Sequence, residues 1–186
     1  MNLPNKLTCL RMLMVPFFVA AMVLPFSNHY LWALILFIAA SFTDMLDGKI
    51  ARKQGLITDF GKFMDPLADK ILVTSARICF VDLWVTPAAV IIVIIAREFI
   101  VTSLRLIAAP KGIVIAADIF GKMKTVSQMI WVATTILQMY LEEELWIGVT
   151  ALAALNTLLM WATLALTVIS GINYLWKNRA VLSDMK

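Results

Sequence analysis

Four aspartates at helical spacing stand between two long apolar stretches of the chain. Asp44 and Asp47 are three residues apart, and Asp65 and Asp69 are four apart. Each spacing places two carboxylates on one face of a helix. If the two helices end at the same membrane surface, the four groups form one cluster, and their mutual repulsion calls for cations. Because the donors are all oxygens, the cluster predicts a hard divalent ion, Mg²⁺ first and Mn²⁺ second.

A second set of charged residues lies further along, within or beside apolar sequence. Arg97 and Arg105 belong to the fourth apolar segment, and Lys122 and Lys124 begin the fifth. A charge inside a bilayer costs about 2.5–3.5 kcal/mol on insertion scales, so such residues are kept for a reason. A guanidinium can grip phosphate with two parallel hydrogen bonds, so these side chains predict an anion pocket. Snorkelling of Arg105 and Lys122, or an internal salt bridge for Arg97, stays open as a structural alternative.

Ion pairing is the structural alternative for the aspartates too. They could pair with neighbouring basic residues, namely Lys49, Arg52, Lys62 and Lys70. That interpretation does not explain why Gly48 and Ala51 stand beside the carboxylates, where small residues leave room for a ligand against the helix. In the second set, Arg77 either serves the anion pocket or pairs with Glu98.

The elements that position these residues are apolar helices. The chain of 186 residues is 62% hydrophobic with a mean hydropathy of +0.89, which leaves too little polar surface for a soluble globule. A span needs about 20 residues, and six segments qualify: 7–24, 30–52, 58–81, 86–109, 118–141 and 145–176. We expect one all-α integral membrane domain over residues 1–186, a bundle of six transmembrane helices. The last segment exceeds one bilayer thickness, so it is tilted, kinked near Gly171 or extended into the cytosol.

The basic residues indicate the orientation of this bundle. The connections at 25–30, 82–87 and 141–145 contain no Lys or Arg, whereas the other connections and both ends are rich in them. Because cytoplasmic loops carry the excess of Lys and Arg, both termini should be cytoplasmic and the aspartate cluster should open toward the cytosol. His29 and the glutamates at 142–144 then lie in outer turns, where we expect them to be solvated. No basic patch typical of nucleic-acid binding is present.

An acidic metal site beside a cationic pocket indicates a reaction between two anionic substrates. A pair of divalent ions can clamp a diphosphate and stabilise the leaving phosphate of an in-line displacement. A carboxylate beside an attacking hydroxyl can take its proton. These features predict an enzyme that joins a lipid-soluble donor with a small anionic acceptor from the cytosol.

The acidic stretch also resembles a family signature. It reads Asp44-x2-Asp47-Gly48-x2-Ala51-Arg52-x8-Gly61-x3-Asp65-x3-Asp69, which is similar at every fixed position to the motif of the CDP-alcohol phosphotransferases, membrane enzymes of phospholipid synthesis. The resemblance implies that Asp44, Asp47 and Asp65 ligate two Mg²⁺ or Mn²⁺ ions, with Asp69 as general base and possible ligand. It further implies that Asp47, Gly48, Ala51, Arg52 and Gly61 receive the CDP moiety of CDP-diacylglycerol, and that the enzyme is a homodimer.

The likeness continues outside the motif and bears on the acceptor. It includes Asn2-Leu3-Pro4-Asn5, residues 61–70, Ala96-Arg97-Glu98 and Gly121-Lys122-x-Lys124-Thr125. These stretches resemble the bacterial family members whose acceptor is sn-glycerol 3-phosphate. The resemblance implies that Arg97, Arg105, Lys122 and Lys124 hold the acceptor's phosphate and that Asp69 deprotonates its 1-hydroxyl. The products would be phosphatidylglycerol phosphate and CMP, made at the cytosolic face of a bacterial cytoplasmic (inner) membrane.

Three other functions compete with this interpretation. A sibling enzyme could use phosphatidylglycerol, serine or inositol phosphate as its acceptor. A divalent-cation or proton-coupled transporter would also place carboxylates in the membrane, but it predicts polar residues continuing to the far face, and residues 31–40 are wholly apolar. A lipid-binding scaffold without chemistry would need none of the aspartates.

Overall fold

The computed structural model describes residues 3–54, 59–108, 119–143 and 145–179, without the side chains at 3–4, 44–54, 59–63, 65, 66 and 69. Six α-helices follow one another along these residues: α1 Leu3–Val23, α2 His29–Gln54, α3 Asp59–Asp82, α4 Ala88–Ala108, α5 Ile119–Glu143 and α6 Thr150–Lys177. The described part of the chain contains no strand. The all-α prediction is confirmed, and five of the six helices agree with their predicted segments to within a few residues at each end.

The start of α6 is the exception, because the helix begins at Thr150 rather than at residue 145. Trp146 adopts a left-handed conformation with φ of 53°, and the Ile147 N–H donates a 2.9 Å hydrogen bond to the Leu141 carbonyl. A left-handed residue just past a helix end lets a following N–H satisfy one of its last carbonyls. Hydropathy could not predict this turn, because Leu145, Trp146 and Ile147 are apolar although they lie outside any helix.

The helices pack as a bundle around two apolar clusters. α1 packs against α2 and α3, α2 against α5, and α6 against both α4 and α5. The larger cluster contains Phe18, Phe37, Phe80 and Trp131, all at most 2% exposed, with ring centroids 6.1 Å apart for the first two and 6.0 Å for the last two. The smaller cluster joins α4 to α6 through Val101, Leu104, Ala108 and Tyr174. Both clusters fix how the charged residues of α3 to α6 face one another.

The outer surface of the bundle is more apolar than that of a soluble protein. Large apolar side chains are exposed on its outside, as in Phe17, Ile92 and Phe99, each at least 65% exposed. Polar side chains such as Thr163 and Ser170 are completely buried. Two of the helices, over Asn5–Val23 and Thr150–Lys177, are long and apolar enough to cross a membrane. An apolar outer surface, with some polar side chains among the buried residues, is the distribution expected where lipid is the solvent.

His29 corrects one prediction of the sequence analysis. Its side chain is only 5% exposed, and its Nδ1 lies 2.9 Å from the Ala21 carbonyl of α1. Its Nε2 lies 3.5 Å from Oε1 of Glu143 on α5, a glutamate that remains largely exposed. The expectation of a solvated histidine was wrong, because the turn between α1 and α2 folds the ring against α1 and the end of α5.

Candidate active site

A cavity of about 390 Å³ lies between α3, α4, α5 and α6. Six of its lining side chains are cationic, namely Lys70, Arg77, Arg97, Arg105, Lys122 and Lys124, and one, Glu98, is anionic. We call it the cationic cavity. A cleft lined by one sign of charge between low-dielectric walls concentrates the field and attracts the opposite charge. The cavity is therefore suited to an anion of small size.

The structure brings together all four residues that the sequence assigned to an anion pocket. Arg97 and Arg105 reach the cationic cavity from α4, and Lys122 and Lys124 reach it from the first turns of α5. Arg105 and Lys122 are exposed, whereas Lys124 is only 4% exposed. The cations thus extend from the mouth of the cavity into its interior. Their role as ligands of an acceptor phosphate stays a prediction.

Glu98 is the carboxylate that holds the inner part of this lining in place. Its Oε1 accepts a 2.8 Å hydrogen bond from Lys124 Nζ and lies 3.6 Å from Nη1 of Arg77. Arg77 is completely buried and also donates to the Val73 carbonyl and to Thr74. Of the two alternatives left open for Arg77, the structure therefore shows both, since Arg77 pairs with Glu98 and lines the cavity.

The Arg97 side chain extends from α4 to α6, where it contacts Ser170 and Gly171. Its Nη2 donates a 2.5 Å hydrogen bond to Ser170 Oγ. A Cβ atom added at Gly171 would lie 2.9 Å from Arg97 Cγ, closer than real Cβ contacts come. Gly171 is buried within the continuous helix α6, so the absence of its side chain lets the stem of the arginine lie against the helix. This contact explains a glycine that the sequence analysis considered only as a kink.

Replacing Gly171 with alanine should therefore weaken the binding of the anion without disturbing the rest of the bundle. Arg97 must change rotamer or move away, and we expect the KM for the anionic acceptor to rise about five- to tenfold, the size of a modest overpacking effect. Steady-state kinetics of Gly171→Ala measures this. Gly148→Ala is the matched control, because a Cβ there meets no atom within 4 Å. An unchanged acceptor KM in Gly171→Ala would show that Arg97 does not hold the anion.

Arg105 is oriented by Tyr174 at the mouth of the cavity. Its Nε donates a 2.8 Å hydrogen bond to the tyrosine hydroxyl, and its guanidinium carbon lies 5.5 Å from the ring centroid. Because Tyr174 accepts this hydrogen bond, the Arg105 guanidinium has a defined position relative to the cavity. A flexible surface side chain would not. Snorkelling to the headgroups was the alternative for Arg105, and this hydrogen bond gives it a partner inside the bundle instead.

Lys70 and Gln128 also line the cavity, and the sequence analysis did not assign either of them to the site. Lys70 follows Asp69 directly, and its Nζ donates a hydrogen bond to Thr102 of α4. Gln128 lies four residues after Lys124 on α5 and is 3% exposed. The signal that could have found Gln128 is this i, i+4 spacing, which places it on the same helix face as a lysine already assigned to the pocket.

A second, mainly apolar groove adjoins the cationic cavity. It has a volume of about 570 Å³ and runs between α3 and α4 past Ile71, Ile78 and Phe99. Lys70, Glu98 and Thr102 line both the groove and the cavity. The polar end of an apolar groove therefore meets the cationic cavity at one place in the bundle.

The four aspartates lie on the two helices expected for them, but their side chains fall outside the described residues. Asp44 and Asp47 belong to the last turns of α2, and Asp65 and Asp69 to the first half of α3. The side chains of Ala51 and Arg52, and the surroundings of Gly48 and Gly61, also fall outside the described part. Among the side chains that are described, no group of three His, Cys, Asp or Glu residues occurs. The proposed metal and CDP ligands therefore stay predictions.

Comparison with known proteins identifies the family. Residues 1–169 match the family model described as CDP-alcohol phosphatidyltransferase. The chain belongs to this family. Its acidic motif, its apolar helices and its cationic cavity are thus features of a CDP-alcohol phosphatidyltransferase, as the resemblance of the motif indicated.

Several bacterial members of the family are similar to this chain over almost its whole length. A protein of Bacillus subtilis (strain 168), named CDP-diacylglycerol–glycerol-3-phosphate 3-phosphatidyltransferase, is 43% identical over 189 residues and covers 95% of both chains. A protein of the same name from Salmonella paratyphi A is 35% identical, with 98% of each chain covered. Another from Rickettsia felis is 34% identical over 93% of each.

Proposed function

We propose that this protein transfers the phosphatidyl group of CDP-diacylglycerol to sn-glycerol 3-phosphate, giving phosphatidylglycerol phosphate and CMP. The observation that carries the proposal is the cationic cavity, where Arg97, Arg105, Lys122 and Lys124 converge from two helices. Such a lining suits an acceptor that bears a phosphate rather than a neutral alcohol. The relatives named for this transfer, one of them 43% identical over 95% of the chain, support it.

The cationic cavity would bind and orient the acceptor. Charge-assisted hydrogen bonds from the arginines and lysines hold its phosphate. Asp69 falls one helical turn before Val73, which lines the cavity, so its position on α3 suits a base for the acceptor's 1-hydroxyl. The hydroxyl proton passes to Asp69 as its oxygen forms a bond to the phosphorus of the phosphatidyl group. The bond from that phosphorus to the CMP oxygen breaks, and CMP leaves.

The four aspartates would hold the divalent ions of the family's chemistry. Their donor set fits the group, because carboxylate oxygens without His or Cys suit Mg²⁺ or Mn²⁺. We assign Asp44, Asp47, Asp65 and Asp69 to two such ions. When bound, the ions neutralise the diphosphate and stabilise the leaving phosphate. α2 ends at Gln54 and α3 begins at Asp59, so chain length alone keeps these helix ends within about 18 Å.

The residues beside the aspartates would bind the nucleotide part of the donor. We assign the CDP moiety to Asp47, Gly48, Ala51, Arg52 and Gly61, all in the last turns of α2 or at the start of α3. The small residues permit close approach of the ligand to the helix backbone. The apolar groove between α3 and α4 supports this arrangement, since a lipid donor needs an apolar path beside the polar site.

The bundle would span the cytoplasmic membrane of a bacterium six times, with both termini and the cationic cavity on the cytosolic side. The excess of Lys and Arg at the chain ends and at two alternate connections supports this orientation. At the end of α6, the Arg179 guanidinium carbon lies 5.3 Å from the ring centroid of Trp176, a pairing suited to the interface between lipid and water. We propose a homodimer as the functional state.

A direct assay tests the proposed reaction. Purified protein in detergent is supplied with CDP-diacylglycerol, Mg²⁺ or Mn²⁺ and labelled sn-glycerol 3-phosphate, and the lipid product and CMP are quantified. We expect labelled lipid and CMP in equal amounts, and neither without the divalent ion. Consumption of serine, inositol phosphate or phosphatidylglycerol in place of glycerol 3-phosphate would assign the protein to a sibling reaction.

Removing the arginine at the mouth of the cavity should affect one substrate selectively. We expect Arg105→Ala to raise the KM for glycerol 3-phosphate about 10- to 100-fold, the effect of one lost hydrogen bond to a charged group. The KM for CDP-diacylglycerol should change little. Initial rates measured with each substrate varied in turn distinguish the two. Arg179→Ala is the control, because Arg179 stacks on Trp176 outside the cavity. An unchanged acceptor KM in Arg105→Ala would remove Arg105 from the acceptor site.

A further inference from the structure

Gln128 has a buried amide that lines the cationic cavity. The residue is 3% exposed, and its Nε2 has no hydrogen-bond partner among the described residues. Buried amide donors are nearly always hydrogen-bonded, because leaving one unsatisfied is costly. Gln128 is also one of the residues that line the cavity. A molecule in the cavity is therefore the natural acceptor for this N–H group.

The other neutral polar groups of the lining already make hydrogen bonds within the protein. Thr102 donates to the Glu98 carbonyl and accepts from Lys70. Thr125 donates to the Gly121 carbonyl, and the Tyr174 hydroxyl accepts from Arg105. Gln128 differs from these because its buried Nε2 makes no hydrogen bond to any of the described residues. It is also more deeply buried than the exposed cations at the mouth.

We infer that Gln128 determines acceptor specificity by donating a hydrogen bond from Nε2 to the secondary hydroxyl of glycerol 3-phosphate. This inference rests on the proposed function. The cations already supply ample charge for the phosphate, and the 1-hydroxyl is assigned to Asp69. The middle hydroxyl is the remaining polar group of the acceptor. A neutral amide suits a neutral hydroxyl, and a site built to bond a hydroxyl rejects analogues that lack it.

The test compares two acceptors and two proteins. The acceptors are glycerol 3-phosphate and 3-hydroxypropyl phosphate, which keeps the phosphate and the primary hydroxyl but lacks the middle one. The proteins are the wild type and Gln128→Met, a substitution that conserves size and removes the amide. We expect the wild type to prefer glycerol 3-phosphate in kcat/KM by about tenfold, the value of one hydrogen bond. Gln128→Met should lose that preference by turning over glycerol 3-phosphate about as slowly as the wild type turns over the analogue.

A structural role for Gln128 would give a different pattern. If the amide only supports the bundle, Gln128→Met lowers kcat/KM for both acceptors by the same factor and the preference survives, which overturns the inference. Thr125→Val is the matched control, because it alters another polar residue of the cavity lining, whose hydroxyl donates to the Gly121 carbonyl, and it should leave the preference intact. Should Gln128→Met fail to fold, Gln128→Asn keeps an amide but withdraws it by one methylene, and we expect it to reduce the preference as well.

A second acceptor pair tests the same contact through stereochemistry. The enantiomer sn-glycerol 1-phosphate carries the same groups with the opposite arrangement at the middle carbon. The wild type should discriminate between the enantiomers, and Gln128→Met should discriminate less. Unaltered discrimination would contradict the inference. Failure of the wild type to use any of these phosphates with CDP-diacylglycerol would instead remove the proposed function, and the role of Gln128 with it.

Discussion

Replacing Asp69 with asparagine is expected to reduce turnover by about 10²- to 10⁴-fold, the usual contribution of a general base. The amide keeps the size and an oxygen ligand of the carboxylate but cannot accept the proton of the attacking hydroxyl. CDP-diacylglycerol should therefore still bind, because Asp44, Asp47 and Asp65 are left to hold the ions. The measurements are kcat with saturating substrates and the binding of labelled CDP-diacylglycerol in the presence of Mg²⁺.

Asp82→Asn is the control for this substitution. Asp82 is an exposed aspartate at the opposite end of the same helix, so its replacement should leave kcat unchanged. Turnover in Asp69→Asn within a few-fold of the wild type would exclude Asp69 as the base. Loss of donor binding together with turnover would instead assign Asp69 mainly to the metal site.

Replacing Glu98 with glutamine should destabilise the protein more than any other change in the cavity. Glu98 compensates Lys124 and Arg77, which are 4% and 0% exposed. Removing one partner of a buried ion pair leaves uncompensated charge and costs about 3–5 kcal/mol. For a chain of this size the loss corresponds to a fall in Tm of roughly 6–20 °C. Thermal unfolding in detergent measures it.

Added anion should reverse part of this effect. Inorganic phosphate or glycerol 3-phosphate in the cationic cavity restores negative charge beside Lys124 and Arg77, so it should raise the Tm of Glu98→Gln more than that of the wild type. Glu142→Gln is the control, because Glu142 is exposed at the far end of α5, where it accepts an exposed hydrogen bond from Gln138. A Tm for Glu98→Gln within about 2 °C of the wild type would show that the two cations are compensated by other groups.

The helices could be predicted closely because hydrophobic runs, prolines and caps act locally. α4 begins just after Pro87, and the Val90 N–H donates to the Pro87 carbonyl, as a proline at a helix start predicts. The predicted start of α6 was wrong because the true start depends on the left-handed conformation of Trp146, which composition does not reveal. The predicted environment of His29 was wrong because the side chain contacts Ala21 and Glu143, which belong to other helices.

The amino-acid sequence by itself determined the helical class and the family, and it predicted the residues able to do chemistry, because these follow from periodicity, spacing and side-chain type. That four cations of α4 and α5 converge could also be predicted, because charges within apolar helices must turn away from lipid. Only the tertiary structure decided that Glu98 pairs with Lys124 and Arg77, that Arg97 packs against Gly171, and that Gln128 lines the cavity. These features involve residues on different helices or the space between helices. They depend on how each helix is rotated about its axis, which is set by packing across the whole bundle.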